Sequence, residues 1–131
     1  MAFNLLIITP KGTYLEDRVD SLTLKMVGGY RTILSNHYPL IGMVDVAPAY
    51  TKKGNNVIHY SLNGGLLNVT KEKVVIIAHS IESQKEIDIE RAKSAKERAE
   101  TRLKSKDENI DLKRANLALL RAISRIKTSS K

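Results

Sequence analysis

Cysteine is absent from this chain of 131 residues, which excludes disulfide bonds, thiolate metal sites and cysteine nucleophiles. The longest uninterrupted apolar run covers residues 74–78, far short of the roughly 20 residues that a membrane-spanning helix needs. Residues 1–4 contain no basic region followed by an apolar core, so the sequence predicts no secretion signal. We therefore expect a cytoplasmic protein in a reducing compartment.

Glycine, proline and aromatic residues are missing from the last third of the chain. All 7 glycines and all 3 prolines lie at or before Gly65, and the single Phe and 5 Tyr lie at or before Tyr60. Turn-forming residues between short apolar runs are typical of a β domain, whereas an unbroken segment rich in Ala, Leu, Lys, Arg and Glu is typical of helices. The sequence predicts an all-β domain at 1–84 and a helical domain at 85–131.

Seven apolar runs separated by turn signals predict strands in the first domain, and strands at this spacing are typical of a sandwich or flattened barrel. We interpret Asn63-Gly64-Gly65 as a tight turn or bulge, with the turn favoured, rather than as a ligand loop. The predicted strands are Phe3–Thr9, 19–27, 32–34, 41–46, 57–62, 66–69 and 74–79.

The second domain is predicted to be an antiparallel hairpin of two helices. A capping-box pattern at 83–86, with Asp88 as a second candidate N-cap, precedes a helix that runs to about Lys104. The next helix is predicted from about residue 110 to 126, with Asp107 and Asn109 as candidate caps and a frayed end at 128–131.

The net charge of +8 is concentrated in the helical domain. Residues 85–131 hold 14 Lys and Arg against 8 Asp and Glu, a balance of +6, and residues 1–84 hold 8 against 6, a balance of +2. This asymmetry favours an anionic partner: nucleic acid, anionic lipid, a nucleotide or an acidic protein surface.

Two groups of three arginines have the same spacing in the sequence. In each group the second arginine follows the first by seven residues, and the third follows the second by four. At 3.6 residues per turn each trio lies on one helical stripe, and two stripes in a hairpin would converge on one anion. On spacing alone, a solvated basic face that glutamates partly neutralise is the favoured interpretation. The trios are Arg91, Arg98 and Arg102, and Arg114, Arg121 and Arg125.

No catalytic or metal-binding pattern is present in the sequence. His37, His59 and His79 have no metal-ligand spacing, and there is no phosphate-binding Gly-x-x-x-x-Gly-Lys loop, dinucleotide glycine fingerprint or Gly-x-Ser-x-Gly elbow. We expect a non-catalytic protein that needs no metal and no cofactor.

Four segments, in order along nearly the whole chain, resemble the epsilon subunit of bacterial F-type ATP synthases. Residues 6–12 resemble its opening strand and turn, and residues 33–40, Ile-Leu-Ser-Asn-His-Tyr-Pro-Leu, resemble a family segment in which Pro-Gly stands where Ser35-Asn36 stands here. Residues 61–69 resemble its Ser-Gly-Gly segment. Residues 87–92, Ile-Asp-Ile-Glu-Arg-Ala, match the signature of members that bind ATP.

The resemblance implies a β-sandwich that docks on the gamma subunit and the c-subunit ring, within the rotor that couples proton translocation to ATP synthesis. It implies a mobile hairpin that permits turnover when folded down. When extended, the hairpin would block ATP hydrolysis by contacting the beta and alpha subunits. The chain would then be peripheral at the cytoplasmic face of the bacterial membrane, which it would contact only through the complex.

The resemblance also implies a regulatory ATP site, carried over residue by residue. Its phosphate-binding residues would be Arg98, Arg121 and Arg125. Its residues for the base and sugar would be Glu82, Asp88, Arg91 and Ala92. With the motif included, ATP binding is favoured over a solvated basic face.

Two alternatives remain open at this stage. One is a purely structural rotor clamp that neither binds ATP nor inhibits hydrolysis. The other is a nucleic-acid-binding module that uses the basic tail. This second alternative fits poorly, because the tail has no stacking aromatics and carries 8 acidic residues. We expect no nucleic-acid partner.

Overall fold

The computed structural model describes residues 1–105 and 110–131, which form an eight-stranded β domain followed by two α-helices. A single-turn 3-10 helix at Gln84–Glu86 joins the two parts. The strands are β1 (Phe3–Thr9), β2 (Gly12–Val19), β3 (Ser21–Met26), β4 (Gly29–Leu34), β5 (Leu40–Lys53), β6 (Asn56–Val69), β7 (Lys73–Ala78) and β8 (Ile81–Ser83). The helices are α1 (Ile89–Lys104) and α2 (Leu112–Ser129).

The strands lie in the order β2-β1-β7-β6-β5-β3-β4, and β8 pairs with β6. All pairs are antiparallel except β1 with β7. All eight strands supply buried apolar side chains to one core, from Leu5 and Ile7 in β1 to Ile81 in β8. This β-sandwich followed by a helical pair confirms the predicted fold class.

The sequence prediction missed β2 and β8. β2 is an edge strand that pairs only with β1, and most of its side chains are exposed or half-buried. An edge strand does not need a regular apolar alternation, so the charged run at 16–18 conceals it. β8 has three residues, too few for a periodic signal.

The predicted turn at Asn63-Gly64-Gly65 is wrong, because these residues lie inside β6. They mark the point where β6 changes partner: Gly65 pairs with Ala78 of β7, whereas Leu62 pairs with Ile81 of β8. Gly65 has a φ of 147°, and a Cβ atom there would lie 2.1 Å from the carbonyl oxygen of Ile77. Gly65 therefore allows a close backbone approach between β6 and β7 within one continuous strand.

The helix predictions hold with shifted ends. Asp88 is the N-cap of α1, and its carboxylate accepts a hydrogen bond from the backbone N–H of Arg91. Asp111 caps α2 in the same way, whereas Asp107 and Asn109 lie outside the described residues. The prediction that residues 128–131 fray is wrong for Thr128, because this residue is fully buried and α2 continues to Ser129.

The hairpin rests on the sandwich through α2. This helix packs against β5 and β6, and α1 packs against α2. Ala92 and Ala99 of α1 are buried, as are Ala115 and Ala122 of α2, so small residues at a spacing of seven let the helices approach closely. Within the described ranges, no helix is long and apolar enough to cross a membrane.

Candidate functional site

A cleft of about 470 Å³ lies where α1, the end of α2 and the segment after β8 meet. Every predicted site residue except Arg121 lines this cleft. Its lining residues are Glu82, Glu86, Asp88, Arg91, Ala92, Ala95, Arg98 and Arg125.

Three parts of the fold position these side chains. Arg91 and Arg98 lie seven residues apart on one face of α1, which separates their Cα atoms by about 10 Å along the helix axis. Arg125 comes from the last turns of α2, and Glu82 comes from β8. The cleft therefore exists only while the hairpin is folded against the sandwich.

Acidic and basic groups are arranged unevenly in the cleft. The carboxylates of Glu82, Glu86 and Asp88 gather near the segment between β8 and α1, and Arg98 lies further along α1. Arg91 follows Asp88 by three residues and Arg125 pairs with Glu82, so this end of the cleft combines hydrogen-bond acceptors with guanidinium groups, and Arg98 adds another guanidinium along α1. The cleft is chemically suited to a ligand with a neutral donor-rich part and an anionic part.

The ion pair between Arg125 and Glu82 ties α2 to β8. Arg125 Nε lies 2.6 Å from Glu82 Oε1, and each side chain is less than a third exposed. Because the pair is shielded from water on most sides, its hydrogen bond is stronger than that of an exposed pair. It holds the guanidinium of Arg125 at the wall of the cleft.

Arg121 lies one helical turn before Arg125 but does not line the cleft. Its Nε is buried and has no hydrogen-bond partner among the described residues. A buried donor without a partner is costly, and Arg121 is the one predicted site residue that the structure does not bring to the cleft.

The two arginine trios do not converge on one anion. Arg91, Arg98 and Arg125 face the large cleft, whereas Arg102 and Arg114 line a separate hollow of about 300 Å³ at the other end of the hairpin. The antiparallel arrangement of the two helices places the members of each trio at different ends of the hairpin. The shared spacing therefore does not bring all six arginines to one site.

Glu86 lines the cleft and was considered in the sequence only as part of a capping box. Its carboxylate accepts hydrogen bonds from the Tyr14 hydroxyl and from the backbone N–H of Ser83 at 3.0 Å. The Tyr14 hydrogen bond lowers the pKa of Glu86. Burial, and then the contact with Glu86, raises the pKa of Tyr14. Glu86 therefore stays ionised beside the cleft, and the capping-box pattern at 83–86 was the signal for its fixed position.

Comparison with known proteins identifies the class to which this sandwich and its docked hairpin belong. Residues 2–84 match the family model for the ATP synthase, Delta/Epsilon chain, beta-sandwich domain. Residues 85–130 match the model for the ATP synthase, Delta/Epsilon chain, long alpha-helix domain. The chain belongs to the ATP synthase delta/epsilon chain family.

Relatives and a solved structure agree with this membership. The ATP synthase epsilon chain of Halalkalibacterium halodurans is 42% identical over 105 residues, which cover 79% of each chain. That of Natranaerobius thermophilus is 40% identical over 126 residues, covering 95% of this chain and 89% of the relative. A chain in the mitochondrial ATP synthase of Euglena gracilis shares the fold, with a TM-score of 0.86 at 20% identity, covering 99% of this chain and 82% of that one.

Proposed function

We propose that this chain is the epsilon subunit of a bacterial F-type ATP synthase, a non-catalytic part of the rotor that couples proton translocation to ATP synthesis. The sandwich, residues 1–84, docks on the gamma subunit and the c-subunit ring, and residues 85–131 form the regulatory hairpin. The complex holds the chain at the cytoplasmic face of the membrane. Family membership over both domains supports this assignment.

An apolar stripe on the outer face of the sheet supports docking on the gamma subunit. Four residues paired across neighbouring strands form this stripe: Ile8 with Ile77, Ile77 with Leu66, and Leu66 with Met43. Met43 is 65% exposed and Ile77 is 51% exposed. A contiguous exposed apolar patch marks a protein interface, because burying it in a partner removes it from water.

The hairpin is proposed to sense ATP in the cleft. In this proposal Arg98, Arg121 and Arg125 bind the phosphates, and Glu82, Asp88, Arg91 and Ala92 bind the base and sugar. The single observation that carries the proposal is the convergence of residues from β8, α1 and α2 on one cleft. Six of the seven residues line the cleft and come from β8, α1 with its N-cap, and α2, so their meeting depends on how the hairpin docks on the sandwich.

A ligand that binds only the folded hairpin stabilises that position. At a ligand concentration of 100 times Kd the stabilisation is about 2.7 kcal/mol, which shifts a two-state equilibrium by about a hundredfold. At low ATP the hairpin would extend, and its basic second helix would contact acidic segments of the beta and alpha subunits and block hydrolysis. ATP acts here as a regulatory ligand, and no cofactor is required.

Calorimetric titration of ATP into the full chain tests the site. We expect binding that disappears in an Arg91→Ala, Arg125→Ala double variant, because two charge-assisted contacts are removed. Arg98→Ala is the second test, since it weakens binding while keeping the ion pair between Arg125 and Glu82. Arg102→Ala is the matched control, an arginine of α1 that does not line the cleft. Equal affinity in all four proteins would contradict the proposed site.

A further inference from the structure

The face of α2 that rests on the sandwich is a row of polar side chains. Arg121, Ser124, Arg125 and Thr128 follow one another at intervals of three, one and three residues, which places them on one side of the helix. The buried alanines of α2 lie on a different side, as their positions in the helical repeat require. Three members of the row, Ser124, Arg125 and Thr128, make hydrogen bonds to the sandwich.

Hydroxyl groups in this row are paired with β6 in a dry interface. Ser124 Oγ lies 2.9 Å from Ser61 Oγ, and the two residues are 2% and 0% exposed. The fully buried Thr128 hydroxyl lies 2.8 Å from the carbonyl oxygen of Ser124 and 3.2 Å from that of Tyr60, so its proton is shared between two acceptors. Each of these three hydroxyls has a hydrogen-bond partner within the chain while the hairpin is folded down.

The hydroxyl pair and the ion pair of the cleft are neighbouring contacts in one interface. Ser61 of β6 pairs directly with Glu82 of β8, and Ser124 precedes Arg125 in α2. Two adjacent residues of the helix thus contact two paired residues of the sheet. A third contact joins the segment after β8 to the C-terminal residue: the Gln84 side-chain amide donates to the backbone oxygen of Lys131 at 2.6 Å.

We infer that Ser61, Ser124 and Thr128, with the carbonyl of Tyr60, form a polar latch that stabilises the folded-down hairpin in the free chain, and that contacts with the beta and alpha subunits compete with this latch at low ATP. This inference rests on the proposed mobile hairpin and adds what holds it when ATP is absent. The contacts of the latch are made entirely within the chain, and none of its residues lines the cleft.

The polar chemistry of the latch suits a joint that opens and closes. A satisfied hydrogen bond contributes only about 1 kcal/mol net, because water replaces the partner once the surfaces separate. Opening the joint therefore exposes the hydroxyls of Ser61, Ser124 and Thr128 to water. If a substitution removes one hydroxyl of a pair while the joint stays closed, the other hydroxyl is buried without a partner. That unpaired hydroxyl costs about 1–3 kcal/mol.

A double-mutant cycle on Ser61 and Ser124 tests the latch in the full chain without ATP. The chain has no cysteine, so Lys11→Cys and Thr101→Cys, both exposed, accept a fluorophore pair that reports the distance between sandwich and hairpin. We expect Ser124→Ala or Ser61→Ala to raise the released fraction by about tenfold, because each leaves a buried hydroxyl unpaired. The double variant should return to within about threefold of the parent. Ser94→Ala, an exposed serine of α1, is the control and should change nothing.

Two outcomes would overturn the latch. Either the effects of Ser61→Ala and Ser124→Ala on the released fraction simply add in the double variant, or each single variant has a released fraction no larger than that of Ser94→Ala. Repeating the cycle in the Arg98→Ala background separates the latch from the proposed ATP site. A latch independent of nucleotide gives the same coupling there, even if calorimetry detects no ATP binding. Coupling that vanishes with Arg98→Ala would contradict the inference and leave the ATP site standing.

Discussion

Gly65 of β6 lies directly against the backbone of Ile77 in β7. Replacing it with Ala should destabilise the protein by about 3 kcal/mol or more, because the new Cβ is strained at a φ of 147° and collides with the backbone of Ile77. Gly54→Ala is the matched control, with a φ of 60° and open space around the added atom. It should cost only about 1 kcal/mol. Urea unfolding measures both, and equal midpoints would refute the account of β6.

The hydrogen bond between Tyr14 and Glu86 predicts a pH dependence. Because the contact lowers the pKa of Glu86 in the folded state, it contributes stability above the unfolded pKa, and that stability is lost as the pH falls through the folded pKa. The stability difference between the parent and Tyr14→Phe should therefore be largest near neutral pH and shrink in acid. Denaturant unfolding at several pH values checks this, and a constant difference would contradict it.

Single residues show where sequence interpretation succeeds and fails. Asn36 has a φ of 64°, the left-handed conformation that Asn tolerates better than other non-glycine residues. Gly64 and Gly65 also have positive φ, yet they lie inside a strand. Glycine in a sequence signals a backbone requirement, and only the partners of β6 distinguish a turn from a bend.

At the scale of elements, the cap of α2 is a local contact with a measurable contribution. Asp111→Ala should lower the free energy of unfolding by about 1 kcal/mol, because the backbone N–H of Arg114 loses its acceptor. Asp111→Asn keeps an acceptor and should lower the free energy of unfolding by only a few tenths of a kcal/mol. Thermal unfolding followed by helical circular dichroism tests the pair. A larger loss for Asn than for Ala would rule out the capping role.

The helices and most strands were predictable because their signals are local. Ala, Leu, Lys and Glu without Gly or Pro specify α1 and α2, and apolar runs specify the buried strands. The edge strand β2 was not predictable, because most of its side chains are exposed or half-buried on both faces, which leaves no apolar alternation. The meeting of Glu82 with Arg125 was suggested by family resemblance alone, since no local pattern determines how a hairpin docks on a sheet.

At the scale of the whole molecule, the apolar stripe is the surface through which we propose that the sandwich docks on the gamma subunit. Leu66→Lys places a charge within the stripe and should weaken binding to the gamma subunit at least tenfold, because the lysine must be desolvated or excluded from the interface. Leu117→Lys on α2 is the matched control, since Leu117 is 38% exposed and Leu66 is 37% exposed. Co-sedimentation with purified gamma subunit measures both. A weaker complex for Leu117→Lys alone would place the docking surface on the hairpin.

The central claim is that the hairpin regulates the enzyme, and hydrolysis by the assembled complex tests it most directly. The ATP synthase reconstituted with the full chain is compared with one carrying residues 1–84, at low and at high ATP. The account predicts faster hydrolysis for the truncated chain at low ATP, and a difference that narrows as ATP rises and holds the hairpin down. Equal rates at every ATP concentration would contradict regulation and leave the sandwich as a structural clamp of the rotor.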